Sequence, residues 1–132
     1  MAGRTPVAEM HHLAILYRMD KPLHEQHCVP CEGGTLPLEK TEALKLAAEA
    51  NGWTLAKDAK SISREFTFKD FTEALAWINR VGELAESEGH HPDIYWWWNK
   101  IKLELSTHAI GGLSNNDFIL ASKINRLDRP SP

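Results

Sequence analysis

The first half of the chain shows two different periods of apolar and polar residues, which predict helices and strands in turn. Apolar residues recur at helical spacing over residues 38–51, and Gly52 follows where a left-handed cap would suit glycine. Residues 53–56 and 61–68 alternate as strands do, with a short polar connection between them. This stretch is therefore predicted to form a helix and then a β-hairpin.

The most regular apolar stripe predicts a long helix that ends at Gly89. Asp70 and, three residues later, Glu73 form a start like a capping box. The stripe that follows consists of Phe71, Ala74, Leu75, Ile78, Val81, Leu84 and Ala85.

The same order of elements then occurs a second time. Residues 93–98 and 100–107 are rich in aromatic and β-branched residues, which predicts two strands with a turn at Asn99 or slightly before it. Ser114 and Asp117 form another capping box, ahead of a last helix. Because a helix with one apolar stripe must bury it, we predict an α+β fold in the order α-β-β-α-β-β-α, with three helices on one face of a single four-stranded antiparallel sheet.

Length and composition agree with one compact domain. A chain of 132 residues with 42% hydrophobic and 25% charged residues can bury a single core. We divide it into an extension with a turn-rich linker loop over residues 1–37, a domain over 38–127 and a frayed tail over 128–132. The extension is expected to be loosely attached.

Charge and hydropathy exclude several classes of partner. The formal net charge of -3 is spread along the chain, which leaves no basic surface for nucleic acid. No apolar stretch approaches the roughly 18 residues needed to span a bilayer, and the N-terminus lacks a signal-peptide pattern. We expect a cytoplasmic protein without a nucleic-acid or membrane partner.

The pair Cys28-x-x-Cys31, with His24 and His27 nearby, resembles half of a zinc site or a redox dithiol. No second pair completes a four-ligand set, and Pro30 with the following glycines indicates a loop. A small zinc or redox protein is thus the weaker alternative. It would predict bound metal or an unusually acidic thiol.

Three histidines in the second half are the candidates for chemistry. His90 and His91 follow the long helix, whose terminal carbonyls favour a protonated imidazole, and Pro92 lets the two rings diverge. His108 is predicted to end the fourth strand on its helix-free face, together with Ser106. Since histidine titrates near neutral pH, three converging rings would suit proton transfer without a metal. A zinc site would need a geometry that adjacent residues seldom give.

Asp117 and the run Trp96, Trp97 and Trp98 each have a structural explanation. Asp117 is suited to cap the last helix. The tryptophans could stack on a flat heterocycle, but such a run more often fills a core or a subunit interface. We expect at least two of them to pack.

Seven residues occur at a fixed spacing across this region. They are Glu86 followed after three residues by His90, His91 and Pro92, then Trp98, then His108 after nine intervening residues and Asp117 after eight more. This pattern resembles the pterin-4a-carbinolamine dehydratases, and the flanking Gly52-Trp53 and Leu105-Ser-Thr-His108 agree with it. The loop from Cys28 to Gly34 resembles a segment that precedes the domain in bacterial members.

The resemblance implies an enzyme that converts 4a-hydroxytetrahydrobiopterin to quinonoid dihydropterin and water, in tetrahydrobiopterin recycling, without cofactor or metal. It implies catalytic roles for His90, His91 and His108 and substrate-binding roles for Asp117, Pro92, Ser106 and Thr107, with Asp117 a candidate for orienting His108 or for bounding the pocket. The assignment of acid and base stays open at this point. A protonated His90 would suit the acid, and His108 could take the proton from N5.

The resemblance also implies partners. The small-molecule substrate is a pterin, the pathway is that of an aromatic amino acid hydroxylase, and the chain forms a homodimer or homotetramer. Exposed strand edges and an aromatic sheet face fit such association. The alternative function is a non-catalytic one, because in animals this fold also serves as a dimerisation cofactor for a transcription factor.

Overall fold

A computed structural model describes residues 21–31 and 33–128. Its regular elements are helix α1 (Lys40–Ala47), strands β1 (Thr54–Leu55) and β2 (Ile62–Thr67), helix α2 (Phe71–Glu88), strands β3 (Asp93–Trp97) and β4 (Lys100–Leu105), and helix α3 (Asn115–Asn125). Two short 3-10 helices, Leu23–Glu25 and His108–Ile110, lie outside this repeat. The predicted α+β class and the order of helices and strands are confirmed.

The four strands form one antiparallel sheet in the order β1-β2-β4-β3. Burial alternates along β4, where Ile101, Leu103 and Leu105 are fully buried and Lys102 and Glu104 are not. The buried side chains join the core that the helices cover, and the intervening residues face away from it. No helix in the described residues is long and apolar enough to cross a membrane.

Helix α2 is the best-predicted element, but its buried face is rotated from the predicted stripe. The Asp70 side chain accepts a hydrogen bond from Glu73 N, which confirms the cap, and Gly89 ends the helix in the left-handed conformation. The largest fully buried side chain in the described residues is Trp77, whose ring centroid lies 4.4 Å from that of Phe66. The predicted stripe omitted Trp77, whereas two of its members, Phe71 and Leu75, are 44% and 41% exposed.

The predicted boundaries of the other elements need small corrections. Helix α1 ends at Ala47, well before residue 51, so Gly52, at φ +86°, belongs to a separate turn. Strand β4 ends at Leu105, so the expectation that His108 ends a strand is wrong. His108 instead begins the second 3-10 helix, because a bridge from Thr107 to Gly112 turns the chain there.

The tryptophan run packs less than predicted within one chain. Trp96 stacks on Phe71, with ring centroids 4.6 Å apart. Trp97 and Trp98 are 53% and 64% exposed, and Trp98 lies in the β3–β4 turn at φ 40°. Of the three indoles, only Trp96 packs on the chain itself, and a role of the other two in a subunit interface stays a prediction.

The segment before the predicted domain is anchored to it at specific residues where the structure describes it. Leu23 is buried in the main core, and Cys28 packs against that core. The loose attachment predicted for this region therefore does not hold for residues 21–31, while residues 1–20 lie outside the described part of the chain. The reason is a set of hydrogen bonds to α2 and α3, which form part of the site described next.

Candidate functional site

Antiparallel pairing brings the segment before β3 next to the segment after β4. Asp93, the first residue of β3, pairs with Glu104, the second-last residue of β4. The residues just before Asp93 and just after Leu105 therefore meet at one end of the sheet. Those are the two stretches that carry the candidate histidines.

A cavity of about 280 Å³ opens at this end of the sheet. Its size suits a ligand smaller than most drug molecules. All three predicted catalytic histidines line it. The complete lining is Val29, Pro30, Cys31, Gly89, His90, His91, Ser106, Thr107, His108, Ala109 and Asn116.

The cavity is not confined to the helix-free face of the sheet, as the sequence had suggested for His108. Asn116 lies in the first turn of α3 and Gly89 caps α2, so both helices contribute to the lining. The site is a junction between the end of the sheet and the ends of two helices. Such a position gives access to helix-terminal groups as well as to strand side chains.

His90 is the most enclosed of the three histidines and is held by a buried carboxylate. Its Nε2 lies 2.5 Å from Asp117 Oδ1, and Asp117 is 0% exposed. The other carboxylate oxygen accepts hydrogen bonds from Thr107 Oγ1 at 2.8 Å and from Ser114 N at 3.0 Å. With three partners, the buried carboxylate is fully satisfied and the ring of His90 is fixed in orientation.

The predicted capping box at the start of α3 is confirmed, but Asp117 does more than cap. Ser114 accepts from Asn116 N, and Asp117 accepts from the backbone N–H of Ser114. Asp117 was expected to orient His108, and this is wrong, because its carboxylate contacts His90 instead. The sequence did not reveal that His90 is the partner, since His90 lies 27 residues from Asp117 and His108 is much nearer in the chain.

His91 and His108 occupy more open positions. His91 Nε2 lies 2.8 Å from Glu86 Oε2, and both side chains are mostly exposed. Proline at position 92 leads directly into β3, so the rings of His90 and His91 diverge toward different carboxylates, in agreement with the sequence prediction. His108 is exposed at the start of its 3-10 helix.

The predicted substrate-binding residues take different positions around the cavity. Ser106 and Thr107 line it. Asp117 lies behind His90, while Pro92 is half-buried and is not among the lining residues. Among the described residues, no group of three or more His, Cys, Asp or Glu is placed to hold a metal ion.

The cavity also has a side that the sequence reasoning missed. Val29, Pro30 and Cys31, assigned from sequence to a linker, line it together with Asn116. Burial raises the pKa of the Cys28 thiol to about 12, and the nearby Glu88 carboxylate acts in the same direction. An activated redox thiol needs the opposite shift, so Cys28 is not suited to be the activated thiol of such a pair.

Comparison with known proteins agrees with this geometry. The sequence matches the family described as pterin 4 alpha carbinolamine dehydratase over residues 36–127, which is more than half of the chain. The chain belongs to the pterin 4 alpha carbinolamine dehydratase family. The family resemblance seen in the sequence is thereby confirmed.

Relatives and a solved structure carry the same family name. A protein of Cupriavidus pinatubonensis whose name assigns it to the pterin-4-alpha-carbinolamine dehydratases is 46% identical over 109 residues, covering 83% of this chain and 94% of its own length. One of Rubrobacter xylanophilus is 46% identical over 105 residues, covering 80% and 97%. A crystal structure described as a transcriptional coactivator/pterin dehydratase from Brucella melitensis has a TM-score of 0.64 at 29% identity, covering 67% and 95%.

The extent of the first alignment bears on the N-terminal loop. The alignment covers 83% of this chain, so it must include Cys28 and Cys31 whatever residue it starts from. In that pterin-4-alpha-carbinolamine dehydratase relative, the alignable region therefore includes the segment that lines the cavity here. In this chain, the segment is therefore part of the folded site and not merely a linker that precedes the domain.

Proposed function

We propose that this protein dehydrates 4a-hydroxytetrahydrobiopterin, a pterin-4a-carbinolamine, to quinonoid dihydropterin and water, as a step in the recycling of tetrahydrobiopterin. Membership in the family supports the substrate class. The observation that carries the proposal is the presence of three imidazoles around one small cavity, one of them held by the buried carboxylate of Asp117. Two imidazoles suffice for the reaction, one as acid and one as base.

The reaction needs one proton delivered and one removed. The hydroxyl on C4a leaves as water when it is protonated, because the C4a–O bond then breaks to a neutral product. The lone pair of N5 forms the new C4a–N5 double bond, and the proton on N5 passes to a base. Acid and base each change by one proton, so the protein returns to its starting state after exchange with water.

In this proposal His90 is the base, although its place at the end of the long helix had suited it to the acid role. Its Nε2 is engaged with Asp117, which leaves Nδ1 as the nitrogen able to accept a proton from substrate. The Asp117 carboxylate then stabilises the imidazolium that forms, as carboxylates do for histidine bases in other enzymes. The acid is one of the two exposed histidines, His91 or His108.

Single substitutions test the proposal. His90→Ala, His91→Ala and His108→Ala are expected to lower the rate of dehydration, with about a hundredfold loss for the base and for the acid. The matched control is His24→Ala, because that histidine is half-buried in the N-terminal 3-10 helix and lies outside the cavity. Rates near wild type in all three variants, with folding retained, would reject the mechanism.

We also propose a homodimer or homotetramer. Strand β3 is an edge of the sheet, and its exposed large residues Ile94, Tyr95 and Trp97, with Trp98 in the turn, offer apolar area for association. Light scattering at micromolar concentration checks this. A monomer alone would contradict it and would leave the two exposed tryptophans without a packing role.

A second candidate function is that of a dimerisation or transcriptional cofactor. The Brucella melitensis structure, whose description includes the words transcriptional coactivator, favours it. A pull-down that retrieves a specific DNA-binding protein, combined with unchanged retrieval by His90→Ala, would support this function as separate from catalysis. Retrieval of none would leave dehydration as the proposed function.

A further inference from the structure

The segment Cys28–Cys31 contributes three of the residues around the cavity, yet it lies before the region that matches the family description. Val29 and Pro30 are apolar, whereas the histidines, Ser106 and Thr107 are polar. A flat bicyclic ligand needs apolar contact over its ring as well as polar groups at its edge. We call the segment from Val29 to Cys31 the cavity wall.

Asn116 holds this wall by pairing with its backbone. The Asn116 side-chain amide donates to Val29 O at 2.5 Å, and its Oδ1 accepts from Val29 N at 3.0 Å. A side-chain amide that satisfies both the N–H and the C=O of one residue imitates the pairing of a neighbouring strand. Asn116 Nδ2 also lies 3.5 Å from Cys31 Sγ, so the clamp reaches both ends of the wall.

A second anchor fixes the start of the segment. Cys28 N donates to Glu88 Oε2 at 2.9 Å, and Glu88 is paired with Lys123. The side chains of Glu88 and Lys123 are only 6% and 12% exposed, so this pair is held in place and is not a mobile surface contact. The two anchors come from the last turn of α2 and from α3, the same helices that position His90.

We propose that Asn116 is a positioning residue that sets substrate affinity, because it holds the Val29–Cys31 wall against the pterin ring. The inference rests on the proposed function. It assigns the wall to ligand binding and the histidines to proton transfer. Loss of the clamp is therefore expected to raise KM and to leave kcat nearly unchanged, which a purely structural role would not do.

The first experiment compares Asn116→Ala with Asn115→Ala. Asn115 is the neighbouring residue in α3, is exposed and does not line the cavity, so it controls for loss of an asparagine from this helix. Two lost hydrogen bonds are expected to raise KM about tenfold, with kcat within about twofold of wild type. The control is expected to leave both unchanged.

A second measurement reads the wall without substrate. Because the pKa of Cys28 is raised to about 12, alkylation by iodoacetamide at mildly alkaline pH reports mainly on Cys31. Mass spectrometry assigns the labelled residue. We expect Asn116→Ala to be labelled about tenfold faster than wild type, and 7,8-dihydropterin to slow labelling of wild type.

The outcomes separate this inference from the proposed function. If wild type is an active dehydratase and Asn116→Ala matches Asn115→Ala in KM, the wall has no binding role and the proposed function stands. If wild type has no dehydratase activity, the proposed function fails and the substrate role of the wall fails with it. Unchanged labelling in Asn116→Ala would overturn the clamp in either case. Should Asn116→Ala not fold, Pro30→Gly loosens the same wall without touching α3, and its KM decides.

Discussion

Replacing Asp117 by asparagine removes one charge and almost no volume, so the two functions of this buried carboxylate can be separated. The asparagine oxygen can still accept from Thr107 Oγ1 and from Ser114 N, which keeps the start of α3 intact. Its amide nitrogen then faces His90 Nε2 as a donor. That ring can no longer donate in the same direction, and its imidazolium loses the negative partner.

The expected magnitudes differ enough to be measured apart. One altered buried hydrogen bond costs about 1 kcal/mol of stability. A domain with roughly 5 to 15 kcal/mol of stability stays folded after such a loss. The turnover rate is expected to fall about a hundredfold, equivalent to about 2.7 kcal/mol of transition-state free energy. Unfolding therefore cannot explain the loss of activity.

Urea denaturation and steady-state dehydration of the same preparation test this prediction. Asp70→Asn is the control, since Asp70 is also a carboxylate that caps a helix, as the N-cap residue of α2, but lies away from the cavity. It is expected to change stability slightly and activity within about twofold. A loss of activity at Asp117→Asn below about fivefold, or equal to that of the control, would refute a role beyond capping.

For three further substitutions, the local structure predicts the direction of the change in stability. Burial raises the pKa of Glu88, but hydrogen bonds from Lys123, the backbone N–H of Cys28 and His27 outweigh it, so the pKa lies below its ordinary 4.5. Glu88→Gln should therefore lower the free energy of unfolding by about 2 kcal/mol at neutral pH. In urea titrations this loss should shrink as the pH falls below 4.5, because the native carboxylate then becomes protonated. A constant cost at every pH would contradict it. Gly52→Ala should destabilise by more than about 1 kcal/mol, because φ is +86° and a Cβ would lie 2.6 Å from Arg64 Cζ. Gly82 lies in the middle of α2, and a Cβ added there would meet no atom within 4 Å, so Gly82→Ala should stabilise the protein by up to about 1 kcal/mol in thermal unfolding. A change of stability in the same direction for both glycine variants would contradict this reasoning.

The sequence predicted most of the fold because local patterns decide it. Helix α2 is delimited by Asp70 and Gly89, and the turn of the second hairpin falls at Trp98 and Asn99, within the predicted range. The buried face of α2 was misplaced at Trp77, since the geometry of the opposing Phe66 and Phe68 rings determines which residues of a wide apolar helix turn inward. Local periodicity does not contain that information.

The candidate site was predicted in part for the same reason. The three histidines could be named from their spacing, but the partner of Asp117 could not, because capping explained that residue and His90 is 27 positions away. The cavity wall was missed entirely. Its clamp joins Val29 to Asn116 across 87 positions of sequence, and a loop rich in turn formers gives no sign of where it will dock.

The start of α3 contains three residues that each have a different structural or functional role. Ser114 starts the helix, Asn116 grips the N-terminal loop and Asp117 fixes a histidine, all within four consecutive residues. An engineer who seeks a more heat-resistant version should leave this turn untouched and work on distant exposed helix surface. Random mutagenesis here would yield variants that lose solubility and turnover together, so a screen for activity alone would misread folding defects as chemistry.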